Sequence, residues 1–264
     1  MKYLLAIFLG LTSLTSTAQK VELGISAGLA NYTGDIAPTP VLAETKPMLG
    51  IFARFNLNHT WAFTAAAARM RVSGSDANFD FNRYRNITFR TDITEISGVF
   101  EFNYFKYGAG VLDKRFTPYL YWGLGIALFN PQGLYNKEWY DLRDYRTEGQ
   151  KSTYNQYTVI MPMGLGIKWM PNNKMSVEWQ LGLRKAYTDY LDDVSTVYPD
   201  MQQQLNKGEV AAALTDPSIL LNENGTPNKS GYQRGNPDNK DWYYNTSVSV
   251  TYRIFTRIKC ARFY

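Results

Sequence analysis

The chain has one histidine and one cysteine among its 264 residues. The histidine, His59, stands in the short polar stretch Asn58-His59-Thr60. A lone imidazole in a turn argues against Ser-His-Asp hydrolysis, Cys-His catalysis and histidine-built metal sites. Its plain reading is a polar turn residue. Cys260 has no partner for an intrachain disulfide. There is no phosphate-binding glycine loop, because Gly123 and Gly125 lie inside an alternating apolar run and open no helix. Past the N-terminal segment, no apolar run approaches the ~20 residues of a spanning helix. The net charge is a modest +5, and the basic residues are scattered rather than gathered into a groove. Nucleic-acid binding is therefore not indicated, and no cofactor is called for.

What the chain does have is alternation. The run Met175 to Arg184 is apolar at Met175, Val177, Trp179, Leu181 and Leu183. Between them stand Ser176, Glu178, Gln180, Gly182 and Arg184. A period of two means a strand with two unlike faces. Charges interleaved with bulky apolar groups fit a wall with lipid outside and a polar lumen inside. Tyr 20, Phe 14, Trp 6 and Gly 20 suit the same reading. Aromatic residues form girdles where lipid meets water, and glycine relieves crowding in a narrow lumen. The expected fold is all-β: a small antiparallel transmembrane β-barrel of about eight strands, OmpA-like, with long loops.

The N-terminus reads as an export signal. Lys2 gives a positive start, Tyr3 to Leu14 form a short apolar run, and Ser16-Thr17-Ala18 offers small residues for cleavage. The expected division is a signal peptide over 1–18 and a barrel over 19–264. No cysteine follows the cleavage site to carry a lipid.

The alternation predicts strands over 20–30, 47–57, 61–72, 88–104, 118–129, 157–169, 175–184 and 242–255. Each has roughly the 9–11 residues that a tilted strand needs to cross a bilayer. An even number of strands returns both ends to one side, expected to be the periplasm. Asn58-His59-Thr60 and Pro171-Asn172-Asn173 fit the short turns. Segments 31–46, 73–87, 130–156 and 190–241 fit the long external loops. In the last of these, Asp200 to Leu214 reads as helix behind Pro199, and 222–239 as irregular chain. The connection 105–117 is long for a periplasmic turn.

Strand parity places a set of charges in the lumen: Arg54, Arg69, Arg71, Glu95, Glu101, Lys168, Glu178, Arg184 and Arg253. They would line a pore or pair with one another. An eight-stranded barrel is just wide enough for its own side chains, and unpaired buried charge is costly. The expectation is a salt-bridged plug. In the loops, Asp189, Asp192 and Asp193 lack EF-hand spacing. They are expected to hydrogen-bond within the loop base, with Arg234 as a partner, and no metal site is assigned.

Several loop segments carry a family resemblance: Asn31-Tyr32-Thr33-Gly34-Asp35, Arg146 with Thr147, Glu148, Gly149 and Gln150, Thr188 to Thr196 with Asp189, Tyr190, Asp192 and Asp193, then Tyr198, Arg234-Gly235-Asn236, Asp241-Trp242-Tyr243 and Ile258-Lys259-Cys260. Together they resemble the PorG family of the Bacteroidetes type IX secretion system, along essentially the whole mature chain. The resemblance implies an outer-membrane barrel associated with the periplasmic ring of PorK and PorN. It would tether that ring, in a machine that exports proteins bearing a C-terminal signal and in some species supports gliding. It implies no catalytic residues. Two roles fit the motifs, contact with other outer-membrane subunits or bracing of the barrel rim.

The leading expectation is thus a non-enzymatic component that works through protein contacts and the bilayer. A small porin or ligand-binding barrel is the second reading, and an outer-membrane hydrolase the third. Ring contact is expected on the periplasmic side, at Lys106 and Lys114 in the 105–117 connection and at Arg262 near the C-terminus.

Overall fold

Period-two alternation has one closed solution, a sheet rolled until its edges meet. The computed structural model describes residues 20–107, 115–220, 227–228 and 230–254. Its strands are β1 (Lys20–Thr33), β2 (Lys46–Asn56), β3 (Trp61–Ser75), β4 (Thr88–Asn103), β5 (Phe116–Tyr135), β6 (Glu138–Asp141), β7 (Tyr157–Asn172), β8 (Met175–Ala186) and β9 (Trp242–Ile254). All neighbours run antiparallel, in the order β4-β3-β2-β1-β9-β8-β7-β5. Pairing of β4 with β5 closes the ring. Strand β6 only extends β5 as a flap, so the barrel has eight staves. The expected signal peptide, Lys114, Cys260 and Arg262 lie outside the described residues.

The outer face is a belt of large apolar side chains. Ile25, Ile51, Ile96 and Leu124 are each more than 60% exposed. Leu23, Leu49, Leu120, Leu165 and Val248 continue the belt around the ring. So large a contiguous apolar surface is stable only against hydrocarbon, and a closed barrel leaves no backbone group unpaired there. The short-turn end of the belt carries aromatics. Trp61 packs 5.0 Å from Phe102 and 5.9 Å from Trp122, beside exposed Tyr104 and Phe116. That is the expected interface girdle.

The polarity of the wall inverts toward the loop end. In the belt zone the inward positions are Glu22, Arg54, Glu101, Lys168 and Glu178, all buried. Further along the same strands they become Met48, Met70, Val72, Phe89, Ile93, Phe129 and Ile160, which form one apolar cluster. The outward positions there become Arg69, Arg71, Arg90 and Asp92. The strands therefore outrun the hydrocarbon zone and continue as a water-exposed barrel with an ordinary apolar core.

This inversion corrects the placement of Arg69 and Arg71. They do not face the lumen: their side chains are 75% and 41% exposed on the outer wall, beside Asp92. Ala68, Met70 and Val72 are the buried neighbours. The membrane rule, polar inside, was applied to a part of β3 that lies beyond the membrane zone.

Other boundaries shift for local reasons. Strand β5 runs past Phe129 despite Pro131, because Pro131 sits between the ladder to β7 and the ladder to β6. Its missing N–H costs no ladder bond there. Asn136 and Lys137, both at positive φ, form the tight turn into β6. The β7–β8 turn falls at Asn173-Lys174, slightly later than expected. The expected helix over 200–214 is broken into α2 (Met201–Lys207) and α3 (Glu209–Thr215) at Gly208; α1 (Leu142–Tyr145) is a single turn.

Lumen-facing Gly123 has no room for a side chain, since a Cβ would stand 2.7 Å from Val99 Cα across the β4–β5 ladder. Gly123→Val should therefore destabilise the barrel by about 1–3 kcal/mol through overpacking. Leu124→Val, on the exposed face, should leave stability nearly unchanged. The urea midpoint of the folded band in a heat-modifiability gel measures both, and equal midpoints would sink the assignment of Gly123 to a crowded inner wall.

Candidate functional site: the filled lumen and the loop clamp

In the belt zone the lumen holds one balanced ion cluster. Arg54 bonds Glu178 with both terminal nitrogens, Nη2 to Oε2 at 2.7 Å. It also reaches Glu22 Oε2 at 3.2 Å and Glu101 Oε2 at 2.9 Å. Lys168 Nζ donates to the same Glu101 oxygen at 2.5 Å and to Asn103 at 3.0 Å. Arg253 Nε donates to Glu22 Oε1 at 2.9 Å. Cations from β2, β7 and β9 thus meet carboxylates from β1, β4 and β8. Nearer the loops, Arg184 is paired with Glu95 at 3.1 Å, and the Tyr243 hydroxyl donates to Glu95 at 2.8 Å. Arg184 also donates to Asn245.

These side chains bridge the barrel from wall to wall. The cavity left between the two clusters measures about 60 Å³, room for a few small molecules of solvent and not for a channel. Among the sequence-derived lumen residues, Arg54, Glu95, Glu101, Lys168, Glu178, Arg184 and Arg253 meet in these clusters. Glu22 was not among them, although its parity on β1 is the same signal.

At the loop end the motif segments converge. Glu148 is the hub of one network, taking the backbone N–H of Ser195 at 2.7 Å and of Thr196 at 2.9 Å on Oε1. Its Oε2 accepts the Thr196 hydroxyl at 2.7 Å, and Arg234 Nη1 stands 3.2 Å from Oε1. Arg234 also donates to the Asp193 carbonyl, and its backbone N–H bonds Thr196 O at 2.8 Å. The Asp193 carboxylate accepts from the Thr147 hydroxyl and from Tyr154 Oη at 2.7 Å. Tyr154 in turn stacks on Tyr190 at 4.5 Å. Gly149 takes φ +69, and a Cβ there would press on Pro199; both facts require glycine. Gln150 Oε1 accepts the Glu148 N–H at 3.3 Å and closes the turn.

A second network links the first and last loops. Tyr32 Oη lies 2.6 Å from Asp192 Oδ2 and 2.8 Å from Asp241 Oδ1. The phenol has one proton to give, so the second contact needs a proton on one of the carboxyls. Asp241 also accepts Leu191 N–H, and Asp192 accepts Val194 N–H. Asp35 accepts Asn236 N–H at 2.6 Å. Arg85 ties the two networks, holding Asp76 by two bonds and the carbonyls of Arg234 and Asp35 at 2.7 and 3.0 Å. Tyr32, Asp35, Asp76, Arg85 and Asp241 were not singled out as site residues. Tyr32, Asp35 and Asp241 lay within the quoted motifs, whereas nothing local marks Arg85.

Burial sets the protonation of this clamp. It pushes Asp193 up to about 6 against the pull of Arg234 and of the Thr147 and Tyr154 hydroxyls. Asp189 departs from the expected loop-base hydrogen bonding, since neither carboxylate oxygen has a partner in bonding geometry, and burial pushes it up to about 6 against the pull of nearby Ser195. Asp192 and Asp241 rise well above the carboxylate range through burial and proximity to other acids. Such protonated carboxyls donate as well as accept, which suits a hydrogen-bonded brace. Of the other sequence-derived residues, Lys106 is exposed beside the β2–β3 turn, where Tyr107 N–H bonds His59 O at 3.0 Å. His59 Nδ1 lies 3.3 Å from the Tyr107 carbonyl, so the histidine joins two connections.

Residues 1–214 match the family described as Domain of unknown function (DUF6089). No curated protein matches the chain. Among solved structures, Neisserial surface protein A is 8% identical, over 89% of this chain and 97% of that chain, with a TM-score of 0.44. Ail of Yersinia pestis is 9% identical, over 89% and 100%, with a TM-score of 0.41. The outer membrane protein OprG of Pseudomonas aeruginosa is 11% identical, over 91% and 99%, with a TM-score of 0.44. These are likenesses of barrel form between distant sequences and assign no activity.

Removing Arg54 leaves Glu22, Glu101 and Glu178 facing only Lys168 and Arg253. Arg54→Ala should cost on the order of 3–5 kcal/mol, whereas Arg54→Met with Glu178→Met should recover most of it. Urea unfolding in lipid vesicles measures both, and additive losses would show that the pair is not coupled. The loop clamp should respond to pH in the unusual direction. Its raised carboxyls bind protons in the folded loops that the unfolded loops release, from about pH 4 upward through about 6. Stability of the clamp therefore increases as pH falls from 8 to 5. Limited proteolysis of the loops should slow over that range; faster cleavage at pH 5 would contradict the burial of Asp192 and Asp193.

Proposed function

The chain belongs to the DUF6089 family, and we propose that it is a non-enzymatic outer-membrane component of a type IX protein secretion machine, of the PorG kind. Its role on this reading is to tether or organise a PorK/PorN-like ring at the outer membrane. The observation that carries the reading is the convergence of the motif segments: Asn31 to Asp35, Thr147 to Gln150, Thr188 to Thr196, Arg234 to Asn236 and Asp241 brace one another across the barrel mouth. Residues that fix a rim suit a rigid platform for other proteins. Of the two roles open for the motifs, bracing is the one these hydrogen bonds favour.

The filled lumen speaks against the porin reading, since conduction would need the Arg54 and Arg184 clusters to come apart. Partner contact then belongs to surfaces, where energy is spread over an interface with a few hot residues. On the periplasmic side, exposed Lys106 is the first described candidate; Lys114 and Arg262 are the others proposed from sequence. A scaffold of this kind supports gliding in cells that glide.

Deleting the gene should impair export of cargo bearing the C-terminal signal and should loosen the periplasmic ring from outer-membrane fractions. Cysteines at Lys106, Lys114 and Arg262 should cross-link to ring subunits in cells, while one at Tyr84 in the loop cap should not. Normal export with an intact ring in the deletion strain would dismiss the secretion role. Capture of ring subunits only from Tyr84 would reverse the membrane orientation. Porin-sized conductance from purified protein in planar bilayers would favour the alternative.

A further inference from the structure

The outer wall ends differently at its two ends. At the short-turn end the described outward positions are aromatic or aliphatic, as at Trp61, Phe102, Phe116 and Trp169. At the loop end they turn basic: Arg69 and Arg71 on β3 and Arg90 on β4, with Asp92 as the one carboxylate among them. Asp92 is already committed. Arg71 holds both of its oxygens, at 2.5 and 2.9 Å. Arg90 turns away to Gln132 at 2.9 Å and lies over the Trp139 ring at 4.2 Å. Arg69 is left 3.8 Å from Asp92 Oδ2 with its side chain 75% exposed.

The surroundings of Arg69 are mostly apolar, with Thr94 as its polar cross-strand neighbour on β4. Its cross-strand neighbour on β2 is Leu49, 65% exposed. Directly below, the wall is dented. Ala27 and Ala67 form the floor of a groove of about 680 Å³, walled by Ile25, Ile51, Val248 and Val250, with Arg69 at its rim. A guanidinium at the edge of a hydrocarbon surface is costly without an anion and reaches toward the headgroups to find one. An apolar groove that ends at an under-neutralised cation has the chemistry of an acyl chain joined to a phosphate.

We propose that this face is a binding site for a phosphorylated lipid of the loop-side leaflet, with an acyl chain along the Ala27–Ala67 groove and the phosphate on Arg69 and Arg71. The site rests on the membrane-spanning reading but not on the secretion role. Arg69 supplies an open fork of N–H donors, and Arg71, fixed by Asp92, supplies the adjacent positive charge. A lipid held here would seat the barrel at a set depth. It would also present a fixed headgroup beside β3 and β4.

The test reconstitutes purified barrel into phosphatidylcholine nanodiscs doped with diphosphoryl lipid A, and counts lipid A bound to the released barrel by native mass spectrometry. Parallel discs carry dephosphorylated lipid A, and inorganic phosphate serves as a soluble competitor. Wild-type barrel should retain the diphosphoryl form and not the dephosphorylated one. Arg69→Gln with Arg71→Gln should lower retention roughly tenfold, the loss of charge-assisted bonds to one anion. Ala67→Phe, which fills the groove, should lower it with the arginines intact. Equal retention by wild type and the double variant, or of both lipid forms, overturns the site. Displacement of lipid A by inorganic phosphate would make it an anion site and overturn the lipid assignment. A barrel that fails to enter the discs as the heat-modifiable folded form overturns the membrane reading and this site with it; one that enters without preference overturns the site alone.

Discussion

Closure of eight strands leaves a lumen that only the barrel's own side chains can fill, and every charge placed there must find its opposite within reach. That constraint organises the rest. The described lumen charges are Glu22, Glu95, Glu101 and Glu178 against Arg54, Lys168, Arg184 and Arg253, and each sits in a pair or a shared cluster. Glu22 pairs with its ladder neighbours Arg54 and Arg253. Arg54 with Glu101 and Glu178, Lys168 with Glu101 and Arg184 with Glu95 join strands that are not adjacent, so those pairs form only as the ring closes. Burying ions in this way is not the most stabilising use of the space. It does make staves across the barrel interdependent, because Arg54 on β2 reaches carboxylates on the adjacent β1 and on the distant β4 and β8.

The same charges fix register. A one-residue slip of any strand turns its inner face outward. For β2 that would exchange Arg54 for Ala53 or Phe55 and place a guanidinium in hydrocarbon. For β7 it would expose Lys168. The alternation that makes the outer face apolar is thus enforced from within.

Most of this architecture is legible in the chain. Strands such as β5 and β8 contrast large apolar residues with glycine, serine or charge at every step, so parity cannot be mistaken. Strand β3 was harder. Its middle is Ala65 to Ala68, which suits either face, so parity was read from Arg69 and Arg71 by a rule valid only within a bilayer. The exposed Trp61 and half-buried Phe63 at its other end, both on the outer face, carried the right answer. The loop clamp was half legible. The segments stood out, and Asp193 with Arg234 was foreseen as an association. The carboxylate–tyrosine bridge among Asp192, Asp241 and Tyr32 was not, because its members lie far apart in sequence and no periodicity joins them. Arg85 shows the limit most plainly, since it bonds two carbonyls and a carboxylate that only folding brings together.

The inversion of polarity along the strands joins the two halves of the molecule. Within hydrocarbon the wall must be apolar outside, and the remaining residues face inward as paired ions. Past the hydrocarbon the outside must face water, and the inside reverts to Met70, Phe89, Phe129 and Ile160. Loops above such an apolar plug have something to pack on, and Leu191 and Val194 from the longest loop join that core directly. Their anchoring holds Asp192 and Asp193 buried and within reach of Tyr32, Thr147 and Arg234. A barrel that stopped at the membrane surface would offer these loops a ring of charges instead. The extra strand length is therefore what turns long polar loops into an ordered cap, and an ordered cap is what the rim motifs hold in place.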